Sequence, residues 1–386
     1  MPPYAAASDG LAGARASVQV ESLSTTHFRN LGHAEIPFSP GVNLFVGENG
    51  QGKTNILEAV CFFKFGRSFR TRRETEMIRF EEAFCRVSVA CIFEDEHTEK
   101  FAASIDRNNQ KKIAISGEEI GKLSDLVGRY PVVLFGPHDL RLISGQPSDR
   151  RRFIDMVGCM TDGAYIRLLR DYRRILNQRN AALRVRVSRN ELDAWNNELI
   201  ERGCQLIKKR VGMTTIIERY LHEHANILEV PFEFSIEYDG AIIRESARIA
   251  DNSGEVELRE VFEAKLLSLR DEELRRGTTL VGPHRDDVLI KIKGKDVRKF
   301  GSQGQRRLLA ILLRLSELTH LETELKEPCI LLLDDVFSEF DPRITGKLQR
   351  LLDGGRQVFV TSPVELDWSA SLEVRVFRVN QGSVTM

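Results

Sequence analysis

Gly47-Glu48-Asn49-Gly50-Gln51-Gly52-Lys53-Thr54 is the stretch on which the fold of this chain turns. Every fixed position of the phosphate-binding pattern GxxxxGK[ST] is filled. Just upstream, Val42-Asn43-Leu44-Phe45-Val46 has the length and apolar character of a buried strand. Just downstream, Ile56, Leu57, Ala59, Val60 and Phe63 recur at helical spacing. Strand, glycine loop and helix in that order form an anion cradle. The glycines let backbone N–H groups turn inward around phosphate oxygens, and the helix N-terminus adds partial positive charge. Lys53 is expected to reach the β- and γ-phosphates and Thr54 to ligate Mg²⁺. The candidate nucleotide-binding set is therefore Gly47, Asn49, Gly50, Gly52, Lys53, Thr54 and Asn55. A glycine turn without a ligand is the simpler alternative, and the two polar residues in this context argue against it.

Bulk properties narrow the class. A chain of 386 residues holds one large or two ordinary domains, and 42% hydrophobic residues supply a sizeable core. Net charge is zero, so overall balance points to no polyanion. The six cysteines, Cys61, Cys85, Cys91, Cys159, Cys204 and Cys329, form no CxxC pair and no metal spacing, as expected of buried thiols in a reducing compartment. No apolar run approaches membrane-spanning length. Residues 1–16 are rich in Ala, Ser and Gly, without a basic start or an apolar centre. They read as a loose tail on a cytoplasmic protein rather than as a secretory signal.

Further along, alternating stretches at Ser17–Leu23 and Cys85–Phe93 predict strands. Lys100–Ile105 and Lys111–Ser116 flank the turn Asp106-Arg107-Asn108-Asn109, a hairpin signal. These form a small antiparallel layer. Val132–Phe135 predicts another strand. From Leu140 to about Arg276 the periodicity is mainly helical, interrupted by a strand at Phe232–Ile236. After Gly277, Val288–Ile292, Cys329–Leu333 and Val358–Val360 read as strands, with a helix over Arg306–Leu318 and a final hairpin from Val374. The expected architecture is an α/β ATPase lobe split into 17–139 and 277–386, bracketing a mostly helical second lobe at 140–276.

A second half of the nucleotide site lies far downstream. Ile330-Leu331-Leu332-Leu333-Asp334-Asp335 is an apolar strand ending in two carboxylates, at the end of a strand where parallel sheets place their ligands. Asp334 is expected to hold Mg²⁺, and Asp335 to orient or deprotonate the attacking water. Ser302-Gln303-Gly304-Gln305 precedes a helix. Such a turn binds an anion through its N–H groups, or is a plain helix cap.

The order of these elements, followed by Ser338-Glu339-Phe340-Asp341, resembles the ABC-type ATPase heads of SMC-like DNA repair proteins and, within that group, the RecF family. Gly66–Thr71, Gln178-Arg179-Asn180 and Thr279-Leu280-Val281-Gly282-Pro283-His284-Arg285-Asp286-Asp287 carry the narrower likeness, which runs from about Val18 to the C-terminus. The resemblance implies an ABC-type head that dimerises around two ATP molecules. Lys53 and Thr54 would act in one subunit, and Ser302, Gln303 and Gly304 in its partner. Asp334 would hold magnesium, Asp335 would be the catalytic base, and Ser338 and Asp341 would cross the dimer seam. It further implies weak, DNA-stimulated ATP hydrolysis, binding of double-stranded and gapped DNA, and loading of the RecA recombinase with a RecR-like mediator. Three positions depart from the pattern. Phe340 stands where leucine is usual, Thr361-Ser362 stand where transporter-type heads carry a histidine, and no glutamine lies near Phe135–His138. These departures suit a slow ATPase.

Between Arg141 and Asn190 the chain carries twelve arginines, no lysine and four aspartates. Arginine forks suit phosphate backbones. A second basic cluster, Lys64, Arg67, Arg70, Arg72 and Arg73, follows the first helix. The candidate DNA contacts are Arg67, Arg70, Arg73, Arg151 and Arg152, against the alternative of a solvated basic face. Other functions fit less well. A long-armed SMC or zinc-hook protein needs heptads or a CxxC between Lys53 and Asp334. A small-molecule P-loop kinase has no use for the SQGQ turn or the arginine-rich insert, and a transporter subunit needs the histidine switch and a membrane-partner surface.

Overall fold

The computed structural model describes residues 18–93, 97–253, 258–340, 342–352, 355–366, 368 and 373–386. The expected tail at 1–16, and Asp341, lie outside the described residues. The chain divides into two compact units. One comprises Met1–Asp139, His224–Glu229 and Glu317–Met386, the other Leu140–Glu223 and Val230–Ser316.

The first unit is built on two sheets. One is antiparallel, with strand order β2-β1-β4-β5-β6-β7. Its strands are β1 (Val18–Thr26), β2 (Ala34–Pro37), β4 (Phe84–Phe93), β5 (Thr98–Asp106), β6 (Lys111–Ile115) and β7 (Glu118–Glu119). Alternation sets its faces: Cys85, Val87, Val89, Cys91 and Phe93 of β4 are buried, and the residues between them point the other way. The second sheet has order β15-β14-β3-β13-β12-β8. It consists of β3 (Val42–Val46), β8 (Val132–Phe135), β12 (Ile330–Asp334), β13 (Val358–Ser362), β14 (Val374–Asn380) and β15 (Ser383–Thr385). All its pairings are parallel except β14 with β15. Every residue of β3, β12 and β13 is buried, which is why these strands read as mainly apolar runs rather than alternating ones. The exceptions are Asn43, whose amide is satisfied by the Ser39 backbone, and the polar strand ends Asp334 and Thr361-Ser362.

Helix α1 (Lys53–Cys61) leaves the end of β3 and packs against β12 and β13 of the parallel sheet and β1 and β4 of the antiparallel one. A single apolar core joins them. Phe28, Phe45, Ile56, Leu57, Val60, Phe62, Phe63, Val89, Phe101, Leu332, Phe359 and Phe377 all belong to it. The phosphate loop therefore springs from the centre of the unit's packing. Helix α10 (Pro342–Leu352) completes this unit. None of the six cysteines is in a disulfide, and among the described residues no helix is long and apolar enough to cross a membrane.

The second unit is mainly helical. It holds α2 (Leu140–Ser144), α3 (Pro147–Thr161), α4 (Gly163–Val185), α6 (Ala241–Ser253), α7 (Leu258–Arg276) and α8 (Val297–Phe300). It also takes most of α5 (Arg189–Leu228) and the first part of α9 (Gln303–Leu325), so the division falls inside these two long helices. One boundary needs correction. The stretch after Gly277, expected to rejoin the ATPase lobe, stays with the helical unit as far as Ser316. The reason is strand pairing. The strand β10 (Asp287–Ile292) lies antiparallel between β9 (Phe234–Asp239) and β11 (Lys295–Asp296), with Ile290 opposite Ile236. Local periodicity marks β10 as a strand but carries no information about its partner.

Buried ion pairs hold the 279–287 segment to the helices of this unit. The Arg210 guanidinium grips both oxygens of Asp155 at 2.8 Å and donates to the Pro283 carbonyl. Arg179 donates to Glu273 at 2.6 Å, to the Thr279 hydroxyl at 2.7 Å and to Asn196 at 2.8 Å. Asn180 accepts from Thr279 N, and Arg150 is bidentate to Asp287. Burial pushes the Asp286 carboxyl up to about 6, opposed by the Tyr238 hydroxyl that donates to it at 2.6 Å. Burial also holds the His284 imidazole down to about 4, beside the Tyr172 hydroxyl at 2.7 Å.

Candidate nucleotide-binding site

The loop at 47–52 has the backbone its glycines promise. Gly50 and Gly52 take φ of 83° and 118°, a left-handed region that strains other residues. Gly47 is required for space, since a Cβ there would lie 2.3 Å from the Val379 carbonyl oxygen. Lys53 is 4% exposed, and its ammonium donates to the carbonyls of Gly47 at 2.6 Å and Glu48 at 3.0 Å, so it already curls back over the loop.

Across the loop mouth stands the end of β12. In-register pairing of β12 with β13 sets Asp334 beside Thr361. The Asp334 carboxylate oxygen Oδ1 accepts from the Thr54 hydroxyl at 2.8 Å and from the Thr361 hydroxyl at 2.9 Å. Thr361 Oγ1 in turn accepts from the backbone N–H of Asp335 at 3.0 Å. Asp335 itself has φ of 52°, a turn that ends the strand abruptly. Gly136 lets this cluster close up, because a Cβ there would meet the Asp334 Cβ at 3.2 Å. Residues 280 positions apart, Thr54 and Asp334, are thus in direct contact.

Thr361 is the piece that sequence reading underrated, as it registered only as the absence of a histidine. It is 1% exposed and ties both aspartates in place. Thr361→Val, nearly equal in volume, removes the acceptor for the half-buried Asp335 N–H and one donor to Asp334. The expected cost is about 2 kcal/mol of unfolding free energy, read from the urea midpoint. A loss under about 0.5 kcal/mol would mean that water replaces the hydroxyl.

A second support also went unread. Asn30 donates to the Gln51 carbonyl at 2.9 Å and accepts from the Asn55 amide at 2.7 Å. Gly382 N donates to the same Gln51 carbonyl, and Gln381 N to the Gln51 side chain. Behind them, Glu58 is fully buried and receives Arg29 in a bidentate grip, together with Arg70 and Ser68. An Arg-Asn pair after the first strand has no local pattern that distinguishes it from an ordinary turn. The Asn55 amide, expected at the ligand, is spent on Asn30 and Arg70.

In the second unit, Ser302 and Gln305 form a reciprocal cap at the start of α9. Ser302 Oγ accepts from Gln305 N at 3.2 Å, and Gln305 Oε1 accepts from Ser302 N at 2.9 Å. The helix begins at Gln303 rather than Arg306, so Gln303 and Gly304 supply first-turn N–H groups and are exposed. In the first unit, Ser338 Oγ donates to the Asp335 carbonyl at 2.7 Å.

Among the arginines expected at DNA, several prove to be engaged. Arg70 donates to Asn55 and Glu58, and Arg151 to the Asp286 carbonyl. Arg67 lies 5.7 Å over the Phe65 ring. Arg73 and Arg152 are exposed.

This geometry has relatives. The sequence model of the RecF/RecN/SMC N-terminal domain family matches residues 19–384. A DNA replication and repair protein RecF from Halalkalibacterium halodurans is 35% identical over 374 residues, covering 95% of this chain and 99% of its own length. The chain belongs to the RecF family. Among solved structures, the recombination mediator protein RecF-ATP in the RecFOR pathway matches with a TM-score of 0.85 and 30% identity, over 96% of this chain and 98% of that one. An Smc head domain derived from Pyrococcus furiosus matches with a TM-score of 0.55 at 16% identity, over 95% of both chains, which extends the likeness of fold to SMC heads. Membership of the RecF family agrees with the expected fold class, an ABC-type head with an antiparallel layer and a helical lobe.

Proposed function

We propose that this RecF-family chain is an ATP-dependent DNA-binding protein of recombinational repair, whose ATP site is completed by a second copy of itself. The observation that carries this reading is the contact of Thr54 with Asp334 across the mouth of the phosphate loop. Two hard oxygen donors meet where the β- and γ-phosphates of a loop-bound nucleotide would lie. A hydroxyl and a carboxylate suit Mg²⁺, which takes few protein ligands and fills its shell from phosphates and water. The RecF-ATP structure at 30% identity supports ATP as the nucleotide.

In this scheme Lys53 leaves the carbonyls of Gly47 and Glu48 for the phosphate oxygens, while the loop amides hold the phosphates. Bound Mg²⁺ would neutralise charge developing on them. Thr361 holds Asp334 in line, and Asp335 takes a proton from the attacking water. Ser302, Gln303 and Gly304 of a second copy present their N–H groups to the same phosphates. Ser338 lies along that seam. Turnover is slow, in keeping with Phe340 in place of leucine and Thr361-Ser362 in place of a histidine, and DNA stimulates it. Duplex and gapped DNA, a RecR-like mediator and the RecA recombinase are the proposed partners, and the cytoplasm the proposed site of action.

Sedimentation with and without ATP and duplex DNA tests the whole reading. A shift to dimer with ATP, and to a larger complex with DNA, is expected; a monomer under every condition refutes it. The role in the partner has its own test. Ser302→Arg is expected to abolish the ATP-dependent dimer while leaving ATP binding to the monomer within about twofold of the parent. Loss of both together would place Ser302 in its own subunit's site.

A further inference from the structure

The outer face of the antiparallel sheet carries a basic trough. Strand register lines up Ser24 of β1, Ser88 of β4, Ala102 of β5 and Ala114 of β6 in one row. The row on one side reads Thr26, Arg86, Ser104, Lys112, and the row on the other side contains Ala90 opposite Lys100. A floor of small side chains thus lies between cations on both flanks. It lines a hollow of about 490 Å³ whose only acid among the described residues is Glu119, 4.0 Å from Lys112 at the sheet's edge. Arg86, Lys100 and Lys112 are exposed; the Arg86 guanidinium lies 5.1 Å over the Phe84 ring, which leaves its N–H edges open, and Lys100 makes no ion pair among the described residues.

A half-buried sheet face is ordinarily filled by β-branched or aromatic side chains. Within the hollow the floor is serine, threonine and alanine. The large apolar side chains of this face, Phe84 and Ile92, stand on β4 beyond the two flanking rows, so a protein partner would find no large apolar anchor in the hollow itself. Sugar–phosphate backbones are bound differently, by Arg and Lys charges together with Ser and Thr hydroxyls that donate to phosphate oxygens. Arg86 and Lys112 stand two strands apart, about 10 Å, and the two flanking rows are about 13 Å apart along the strands. That leaves room for one sugar–phosphate strand between them. Such small side chains do not reach base edges, so contact here is independent of sequence.

We propose that this face, Arg86, Lys100 and Lys112 around the Ser88–Ala102 floor, is a seat for the phosphate backbone of DNA. The inference rests on the DNA-binding reading above and moves its contacts away from Arg70 and Arg151, whose guanidinium groups are bonded within the protein.

The test is duplex binding by fluorescence anisotropy over a series of salt concentrations, in the presence of ATP. For R86E/K100E/K112E, affinity is expected to fall at least about tenfold at 0.1 M salt, and the slope of log affinity against log salt to fall by about 3. Binding of a fluorescent ATP analogue should be unchanged, which reports that the head is folded. K100Q/K112Q carries the same test in milder form, with a slope reduced by about 2. Ala102→Trp fills the floor without altering charge and should also weaken duplex binding several-fold. If the charge variants bind duplex like the parent, even if they lose an acidic protein partner, the assignment is overturned while the DNA-binding reading stands. If the unaltered protein binds no duplex at low salt, both are overturned.

Discussion

Lys53→Ala will weaken ATP binding about 100-fold and leave no ATP-dependent dimer detectable by sedimentation at millimolar nucleotide. The lysine is 4% exposed, and its ammonium is held by two loop carbonyls. It needs little rearrangement to meet phosphate oxygens, because its carbon stem is packed and only the terminal group swings. A charge-assisted hydrogen bond contributes about 1.5–3 kcal/mol. One ammonium bridging two phosphates therefore accounts for about 3 kcal/mol, which is the stated factor. Dimerisation suffers further, since the partner's helix end has no phosphate to meet. Fold is expected to survive, as the two carbonyls released by the substitution lie at the loop's open side. Dimers of Lys53→Ala at ordinary ATP would remove the loop from the dimer switch altogether.

Arg179→Met will destabilise the helical unit by about 3–5 kcal/mol. Arg179 is 1% exposed and its partner Glu273 fully buried. The guanidinium joins α4 to α5 through Asn196, to α7 through Glu273 and to the 279–287 segment through Thr279. Without it, among the described residues Glu273 keeps only the Leu280 N–H at 2.8 Å against a buried negative charge. The loss is a large part of the ordinary 5–15 kcal/mol stability of a domain, so the variant should melt early and express poorly. Replacing both partners, as Arg179→Met with Glu273→Leu, should recover much of the loss, because the stranded charge is gone. Urea denaturation followed by circular dichroism measures both. A single variant within about 1 kcal/mol of the parent would show that the pair is not structural.

The same residues show what a sequence discloses and what it conceals. The phosphate loop was legible because all its requirements are local: Gly50 and Gly52 for positive φ, Lys53 and Thr54 for charge and hydroxyl, β3 before and α1 after. Asp334 was legible because a buried strand that ends in carboxylates is unusual. Thr361 was not, since a threonine closing a β-strand is common and only the register of β12 with β13 makes it a hub. Asn30 acts on Gln51 from 21 residues upstream, and Gln381 and Gly382 act on it across more than 300 residues; none of these leaves a periodic trace. The arginine count misled in part for a related reason. Composition tallies charge, whereas Arg150 and Arg179 are buried and spend it inside the fold. The misplaced boundary after Gly277 has the same origin, because β10 announces itself but not its neighbour β9.

The position of β3 bears on when the protein becomes competent during its synthesis. That strand and its loop emerge early, yet its two neighbours in the sheet are β13 and β14, more than 300 residues later. Loop-closure entropy makes so distant a pairing slow. Until residues 358–380 have left the ribosome, the nascent chain carries a mainly apolar strand with two open edges, a form prone to wrong pairing. The Gln51 backbone waits for Gly382 as well. Nucleotide binding is thus a late event in the life of the chain, and its onset marks a head whose first and last segments have met.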